Sequence, residues 1–475
     1  MLSCYQCNGS ATLCENETKS LFCTETHRTR YNQGWATLLA NPLFQERLST
    51  HLGMKRGAKA VTTTTTTMIQ PHILEVLPEE VMGEILLYTF HDAENDAKVM
   101  KAALDARETS VRLATLIDQY IIRFVRRLSR EILRSGVIGD DTVLALFTGL
   151  QSIDLTMDLF SDEGVAKMTS LLHLDIDYSV PLSNTCLKGL TKLESLTLTD
   201  TNEINEKGFV YVPQLKKLYI GFDTSVISFE PLTCLEELIV ESAAYIHSAL
   251  FVPLAASLRK LVLPAVNCSQ HINMGDIVKL TKLESLALEC GRGNIVAITE
   301  ELLGSMTNLT ELRIDASIEM NDEILTKLTG LTFLTLRKCK NVRGTALKHL
   351  TKLSELRLSY IGVGVTELTP LTQLKKLFLE RYSCAGAFEV AQLPPHLEAI
   401  TLTNYHGLDD ALDSLCRGFP MLREITVVST VGDSFVGLDD KSIHSEIRRL
   451  KGLYPLITFT PSVHTNNSGV QEWYQ

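Results

Sequence analysis

The chain has 475 residues, of which 45% are hydrophobic and 21% are charged. This apolar content excludes an intrinsically disordered protein, because it supplies enough side chains for a core. The net charge of −11 disfavours general binding to nucleic acids or to anionic membranes. No stretch reaches the roughly 18 apolar residues of a membrane span, and the N-terminus lacks the pattern of a secretion signal. We therefore expect an intracellular protein, cytoplasmic or nuclear.

The first segment, residues 1–60, is rich in cysteine. Cys4, Cys7, Cys23 and His27 have the spacing of two half-sites for one tetrahedral, structural zinc ion. Cys14 would then be a spare thiol or part of an incomplete second site with His51. The stretch resembles small zinc-binding boxes of the B-box and MYND kinds, with only part of their ligands. The alternative is a set of unliganded, reduced thiols. Residues 61–71, with six consecutive threonines, are predicted to form a linker.

Residues 72–135 have apolar side chains at helical spacing and are predicted to form a small helical domain. Pro78 suits the first turn of a helix, and the apolar residues that follow it fall on one side. This pattern resembles the start of an F-box, the domain that binds a Skp-family adaptor in cullin-based ubiquitin ligases. The resemblance implies further helices around residues 99–104 and 111–121. It also implies adaptor contacts by these residues: Leu77, Pro78, Val81, Ile85 and Leu86.

The F-box pattern is incomplete, because the tryptophan usual near its end is absent. The alternative is a helical cap that shields the first repeat. Behind this segment, arginines recur at the spacing of one helix face, which predicts a basic helix. They are Arg123, Arg126, Arg127, Arg130 and Arg134. This face is either solvated or a dock for an acidic partner or RNA. Nucleic acid is the minor option, because no aromatic residues alternate with the arginines.

Residues 140–460 repeat the pattern L-x-x-L-x-L, which predicts about thirteen leucine-rich repeats of about 23 residues. The motifs begin at Leu150, Leu171, Leu193, Leu215, Leu235, Leu258, Leu283, Leu309, Leu331, Leu353, Leu374, Leu397 and Leu422. The last two leucines of each motif are two residues apart, so they point to one side of a short strand and stack on those of the next repeat. The predicted fold class is an α/β solenoid with parallel strands on its concave face and short helices or turns outside.

Two further features of the repeats are predicted. Cys339 lies in a repeat similar to the cysteine-containing leucine-rich repeats common in F-box proteins, and we expect it to be a buried structural thiol. The segment that begins at Pro455 is expected to supply a capping strand, with residues 461–475 as a C-terminal tail.

The position between the two inward leucines faces outward and predicts a binding surface. Tyr219, Ile239, Val262 and Ala287 occupy it in four consecutive repeats, where an exposed apolar patch would mark an interaction site. A basic–aromatic stretch follows. The predicted target-binding residues are Tyr219, Ile239, Val262, Arg313, Phe333, Arg337, Arg357 and Phe378. Asp154, Asp175 and Asp177 give the first repeats the opposite sign of charge. The alternative is ordinary, variable surface.

No recognised catalytic motif is present, so we expect no enzymatic activity. The F-box resemblance followed by repeats implies a substrate receptor of an SCF-type ubiquitin ligase, which binds the Skp-family adaptor and cullin complex at one end and a target protein on the repeats. The alternative is a stand-alone scaffold for protein–protein interaction, without a ligase. A third, weaker hypothesis is an RNA-associated zinc protein that uses the arginines.

Overall fold

The structure is a computed structural model. It describes residues 13–14, 21–22, 79, 82–83, 86–87, 97–108, 111–156, 159–177, 180–199, 203–221, 228–241, 247–266, 274–290, 303, 306–315, 320–380, 390–403, 408–431 and 448–465. The chain divides into two compact units, Met1–Leu215 and Lys216–Gln475. None of the helices in these residues combines the length and the apolar character that a bilayer span requires.

The first unit begins with a short antiparallel pair and a helical pair. Strand β1 (Leu13–Cys14) pairs with β2 (Leu21–Phe22). Helix α1 (Ala97–Arg107) packs against α2 (Val111–Tyr120), and both lie where the sequence predicts helices. Arg107 donates to both oxygens of Asp118, at 2.6 and 2.9 Å, which joins the two helices by a bidentate ion pair.

The repeats of the first unit form a parallel sheet in which each strand bonds to the next. The strands are β3 (Arg127–Leu128), β4 (Ser152–Leu155), β5 (His173–Ile176) and β6 (Ser195–Leu198). The connections contain α3 (Arg130–Arg134), α4 (Asp141–Leu144), α5 (Asp162–Ala166), α6 (Glu206–Phe209) and the 3-10 turns Ile122–Phe124 and Asn184–Leu187.

The prediction of one basic helix over Arg123, Arg126, Arg127, Arg130 and Arg134 is wrong. The segment is a 3-10 turn, then β3, then the five-residue helix α3, so the arginines do not share a helix face. The sheet also starts before the first complete motif, because β3 pairs with β4. Arg126 donates to the carbonyl of Gly149 at 2.7 Å and thereby holds the turn of the first repeat.

The second unit has the same construction, and from its third strand onward the strands are longer. These are β7 (Lys217–Ile220), β8 (Glu237–Val240), β9 (Lys260–Val266), β10 (Ser285–Cys290), β11 (Glu311–Asp315), β12 (Phe333–Arg337), β13 (Glu355–Ser359), β14 (Lys376–Glu380), β15 (Ala399–Thr403), β16 (Glu424–Val431) and β17 (Thr458–Thr465), each parallel to the next. The connections contain α7 (Met274–Ile277), α8 (Asp322–Lys327), α9 (Leu408–Gly418) and the 3-10 turns Ser248–Leu254, Leu347–His349, Val365–Glu367 and Val390–Gln392.

The leucine register explains these sheets. Leu312, Leu334, Leu356 and Leu377 lie side by side on successive strands, and each is fully buried. Because side chains alternate along a strand, the motif places one leucine ladder inside and leaves the intervening positions on the other face. The fold class is therefore confirmed. Each unit is built from leucine-rich repeats.

The returning turns of the first unit are joined by a hydrogen-bond ladder that the sequence analysis missed. Asp141, the first residue of α4, accepts bonds from the amide and hydroxyl of Ser161, which caps α5. Asp162, the first residue of α5, accepts the same two bonds from Ser183, at 2.8 and 2.5 Å. Asn184 continues the series by accepting the amide of Asn205. The first residue of one turn thus fixes the cap of the next.

Two predictions about the repeats of the second unit are confirmed in part or in full. Cys339 is a fully buried thiol that donates weakly to the carbonyl of Arg337. A capping strand is present, but it starts at Thr458 rather than Pro455 and runs to Thr465, past the predicted end of the repeats at residue 460.

Candidate protein-interaction surface

The face of β11–β14 opposite the leucine core carries three rows of side chains, which the strand register places side by side. The first row is Glu311, Phe333, Glu355 and Lys376; the middle row is Arg313, Thr335, Arg357 and Phe378; the last row is Asp315, Arg337, Ser359 and Glu380. We call these rows the arginine–aromatic surface. The middle row consists of the positions between the two inward leucines of each motif. The prediction that these positions face away from the leucine core is therefore correct here.

Cation–π contacts interlock the rings and arginines of this surface. The guanidinium carbon of Arg313 lies 4.6 Å from the ring centroid of Phe333, and that of Arg357 lies 5.6 Å from the same ring. Arg357 also lies 4.1 Å from the ring of Phe378. All four side chains are half-buried. The structure thus brings together four of the eight predicted target-binding residues in one cluster, and such contacts restrict the rotamers of the arginines.

Ion pairs fix the edges of the surface. Arg337 bonds to Asp315 at 3.3 Å and also lies over the ring of Tyr360, at 5.8 Å. Arg357 forms an ion pair with Glu355 at 2.8 Å, and Lys376 lies 3.9 Å from the same carboxylate. The sequence predicted the arginines but not their acidic partners. The sequence did contain a signal for one of them: Glu355 lies two positions before Arg357, and residues two apart on a strand share a face.

Two buried polar groups lie within the arginine–aromatic surface. Thr335, between Arg313 and Arg357 in the middle row, is 2% exposed, and its hydroxyl has no hydrogen-bond partner among the described residues. Asp315 is 6% exposed, and its Oδ1 likewise has no partner there. Burial raises the pKa of Asp315 above its ordinary value, and the charge of Arg337 opposes this rise.

The predicted apolar patch is not exposed as a whole. Val262 is 7% exposed and Ala287 is 3% exposed, so neither offers surface to a partner, although both occupy the predicted outward positions. Ile239 and Tyr219 are half-buried, and the hydroxyl of Tyr219 donates to Glu241 at 2.5 Å. Alternation along the strand identified the side correctly, but it carried no information about what covers that side.

In the first unit, the acidic outward positions are paired with arginines of the preceding segment. Arg127 bonds to Asp154 at 3.4 Å, and Arg130 bonds to Asp175 and Asp177, each at 3.5 Å. Burial raises the pKa of Asp175 to about 6; Arg130 opposes the rise, and the two neighbouring carboxylates add to it. Arg127 and Arg130, which the sequence predicted to lie on a separate basic face, therefore neutralise part of the negative charge of Asp154, Asp175 and Asp177.

Most of the predicted adaptor contacts, Leu77, Pro78, Val81 and Ile85, lie outside the described residues. Leu86 is described as helical and fully buried, so in this structure it packs inside the protein and does not face a partner. Its neighbour Leu87 is 41% exposed. The spacing of apolar residues in a short helix does not show which of two neighbouring leucines is buried, because that depends on what packs against the helix.

The predicted zinc ligands Cys4, Cys7, Cys23 and His27 also lie outside the described residues. Within those residues, no group of three or more His, Cys, Asp or Glu side chains is arranged to hold a metal ion. The cysteines described with side chains are Cys186, Cys339 and Cys416, which are buried, and Cys234, which is exposed.

Comparison with known proteins finds similarity only to solved structures of low sequence identity. It matches no family model and no curated protein. A leucine-rich-repeat protein of Leptospira interrogans is 17% identical, with TM-score 0.46, over 71% of this chain and 96% of its own. An internalin of Listeria monocytogenes is 21% identical, with TM-score 0.43, over 55% and 76%. The structure of the yeast Rad7 and Elc1 complex is 15% identical in sequence, with TM-score 0.37, over 80% of this chain and 96% of its own. The fold class therefore rests on the strand register, not on these likenesses.

Proposed function

We propose that this chain is a recognition subunit whose repeats bind a target protein through the arginine–aromatic surface. The observation that carries the proposal is the interlocked set of Arg313, Phe333, Arg357 and Phe378. Arginines and aromatic residues are enriched at the hot spots of protein interfaces. Side chains already held in one arrangement also lose little conformational entropy when a partner binds.

We further propose that the segment before the repeats binds a Skp-family adaptor, which would make the chain a substrate receptor of an SCF-type ubiquitin ligase. Support comes from the F-box-like sequence at residues 77–86 and from helices α1 and α2, which occupy the positions expected for the second and third helices of that domain. The exposed Leu87 replaces the buried Leu86 as a candidate contact.

The receptor itself would break or form no bond. Binding the adaptor at one site and the target at another would raise the effective concentration of target lysines near a charged ubiquitin-conjugating enzyme. The alternative is a scaffold with no adaptor, in which α1 and α2 cap the first repeat. The ion pairs of Arg127 and Arg130 with the first repeats are compatible with either function.

Adaptor binding by the full chain separates the two functions. Calorimetry with a purified Skp-family adaptor would compare wild type, a Leu77→Asp/Ile85→Asp variant and a Leu453→Asp/Leu456→Asp control. The control places the same two charges at side chains that are 56% and 89% exposed in the second unit. Binding by wild type and control alone, with unchanged circular dichroism in all three proteins, supports the receptor. Absence of binding by folded wild type refutes it and leaves the scaffold.

A further inference from the structure

We propose that the arginine–aromatic surface recognises an acidic peptide segment of the partner, with an Asp or Glu carboxylate seated between Arg313 and Arg357. The inference rests on the proposed function and specifies the chemistry of the target. It follows from three properties of the middle row: the spacing of the two arginines, the small buried residue between them and the two positive charges of a row that contains no acidic residue.

The spacing comes from the strand register. Arg313 and Arg357 are two strands apart, which separates their backbones by about 9.6 Å. Thr335 occupies the intervening position and is the shortest side chain of the middle row. Two long side chains therefore bracket a short one, and the guanidinium carbons of both lie over the ring of Phe333, at 4.6 and 5.6 Å from its centroid.

The donor chemistry favours an anion. A guanidinium that stacks on a ring by its face keeps its N–H groups in the plane of the group, where a carboxylate accepts them in pairs. Between them, Thr335 is 2% exposed, and its hydroxyl oxygen has no hydrogen-bond partner among the described residues. A buried hydroxyl without a hydrogen-bond partner costs free energy, and a carboxylate oxygen that entered between the arginines would accept a hydrogen bond from it.

The charge balance agrees with this donor set. The middle row carries two positive charges, Arg313 and Arg357, and no acidic residue; the acidic residues lie in the two outer rows. Glu355, in the first row, is shared by two cations, Arg357 at 2.8 Å and Lys376 at 3.9 Å. Asp315 is balanced by Arg337, and Glu311 accepts a bond from the hydroxyl of Ser285. The whole surface has four basic and four acidic side chains, so the positive charge that favours an acidic segment is confined to its middle row.

Peptide display tests the inference directly. Random dodecapeptides would be selected on the full chain and on two variants of equal net charge, Arg313→Gln/Arg357→Gln and the control Arg259→Gln/Arg423→Gln, whose arginines are exposed outside the surface. We expect Asp and Glu to be enriched by the wild type and the control but not by the first variant. By calorimetry, the best acidic peptide should bind the first variant at least tenfold more weakly.

A Thr335→Val variant, which keeps the shape and removes the hydroxyl, should weaken the same peptide severalfold. Equal enrichment of acidic residues by the Arg313/Arg357 variant and the wild type would overturn the inference, as would enrichment of Lys and Arg or no enrichment. Adaptor binding measured on the same proteins keeps the tests separate. Unchanged circular dichroism and an unchanged midpoint of urea unfolding show that a variant that loses the peptide is folded. Wild type that binds the peptide but no adaptor refutes only the ligase role.

Discussion

Asp322 provides a quantitative test of the contacts between repeats. Its carboxylate, at the first residue of α8, accepts three backbone amides of the following turn: Arg343 at 2.9 Å, Gly344 at 2.9 Å and Ala346 at 3.2 Å. The amides of Gly344 and Ala346 are partly buried, whereas that of Arg343 is exposed. In Asp322→Ala these amides lose a charged acceptor, and water replaces it fully only at Arg343.

The expected magnitude follows from these contacts. A hydrogen bond to a charged group contributes about 1.5–3 kcal/mol. With about 1.5 kcal/mol for each of the two partly buried amides and about 0.5 kcal/mol for the exposed one, Asp322→Ala should lower the free energy of unfolding by about 3.5 kcal/mol. Asp322→Asn keeps one acceptor oxygen and should cost about 1–1.5 kcal/mol. The matched control is Glu323→Ala, which removes the same charge from an exposed position of the same helix turn and should cost about 0.5 kcal/mol or less.

Urea unfolding followed by circular dichroism would give the three free energies, and amide hydrogen exchange would show where protection is lost. We expect faster exchange at residues 343–346 in Asp322→Ala and unchanged exchange in Glu323→Ala. The reasoning fails if Asp322→Ala and Glu323→Ala have equal midpoints of unfolding. It also fails if exchange accelerates throughout the unit without a maximum at this turn.

Three further predictions concern ionisation, thiols and metal. Because burial raises the pKa of Asp175 from 3.8 to about 6, ionisation destabilises the folded state as the pH rises through this window. Asp175→Asn should therefore be more stable than wild type in urea at pH 7.5, and this gain should vanish at pH 4. In a maleimide assay on folded protein, Cys234→Ser should remove one fast-reacting thiol and Cys339→Ser none, because only Cys234 of these two is exposed. The full chain should contain about one zinc by atomic absorption, which Cys4→Ser should reduce and Cys234→Ser should not; a zinc-free, folded wild type would contradict the zinc site.

Much of the repeat architecture could be predicted because one physical constraint recurs. Leu334 and Leu336 must both enter the core, and a strand is the only regular structure that places residues two apart on one side. The basic segment was mispredicted for a related reason. Its buried residues Ile122, Val125 and Leu128 are three apart, a spacing shared by a helix face and by the first half of L-x-x-L-x-L.

The candidate surface was predictable only as a set of positions. The sequence placed Arg313 and Arg357 outward, but their association depends on Phe333, which lies in another row and reaches both across the strands. The burial of Val262 and Leu86 could not be predicted from periodicity, because periodicity identifies which residues share a side and not what packs against it.

The ladder of the first unit has a consequence for how such a protein changes length. Each rung of this ladder is a set of hydrogen bonds between the residue that begins one turn and the residue that caps the next turn. Asp141 is joined to Ser161 in this way, and Asp162 to Ser183. Deletion of residues 161–182 would move Ser183 into the place of Ser161, where Asp141 could hold it by the same bonds. A whole repeat can thus be gained or lost during evolution without a new contact, whereas an insertion of a few residues inside a turn would break a rung. Duplication is therefore the easiest route by which this chain could acquire a new stretch of binding surface.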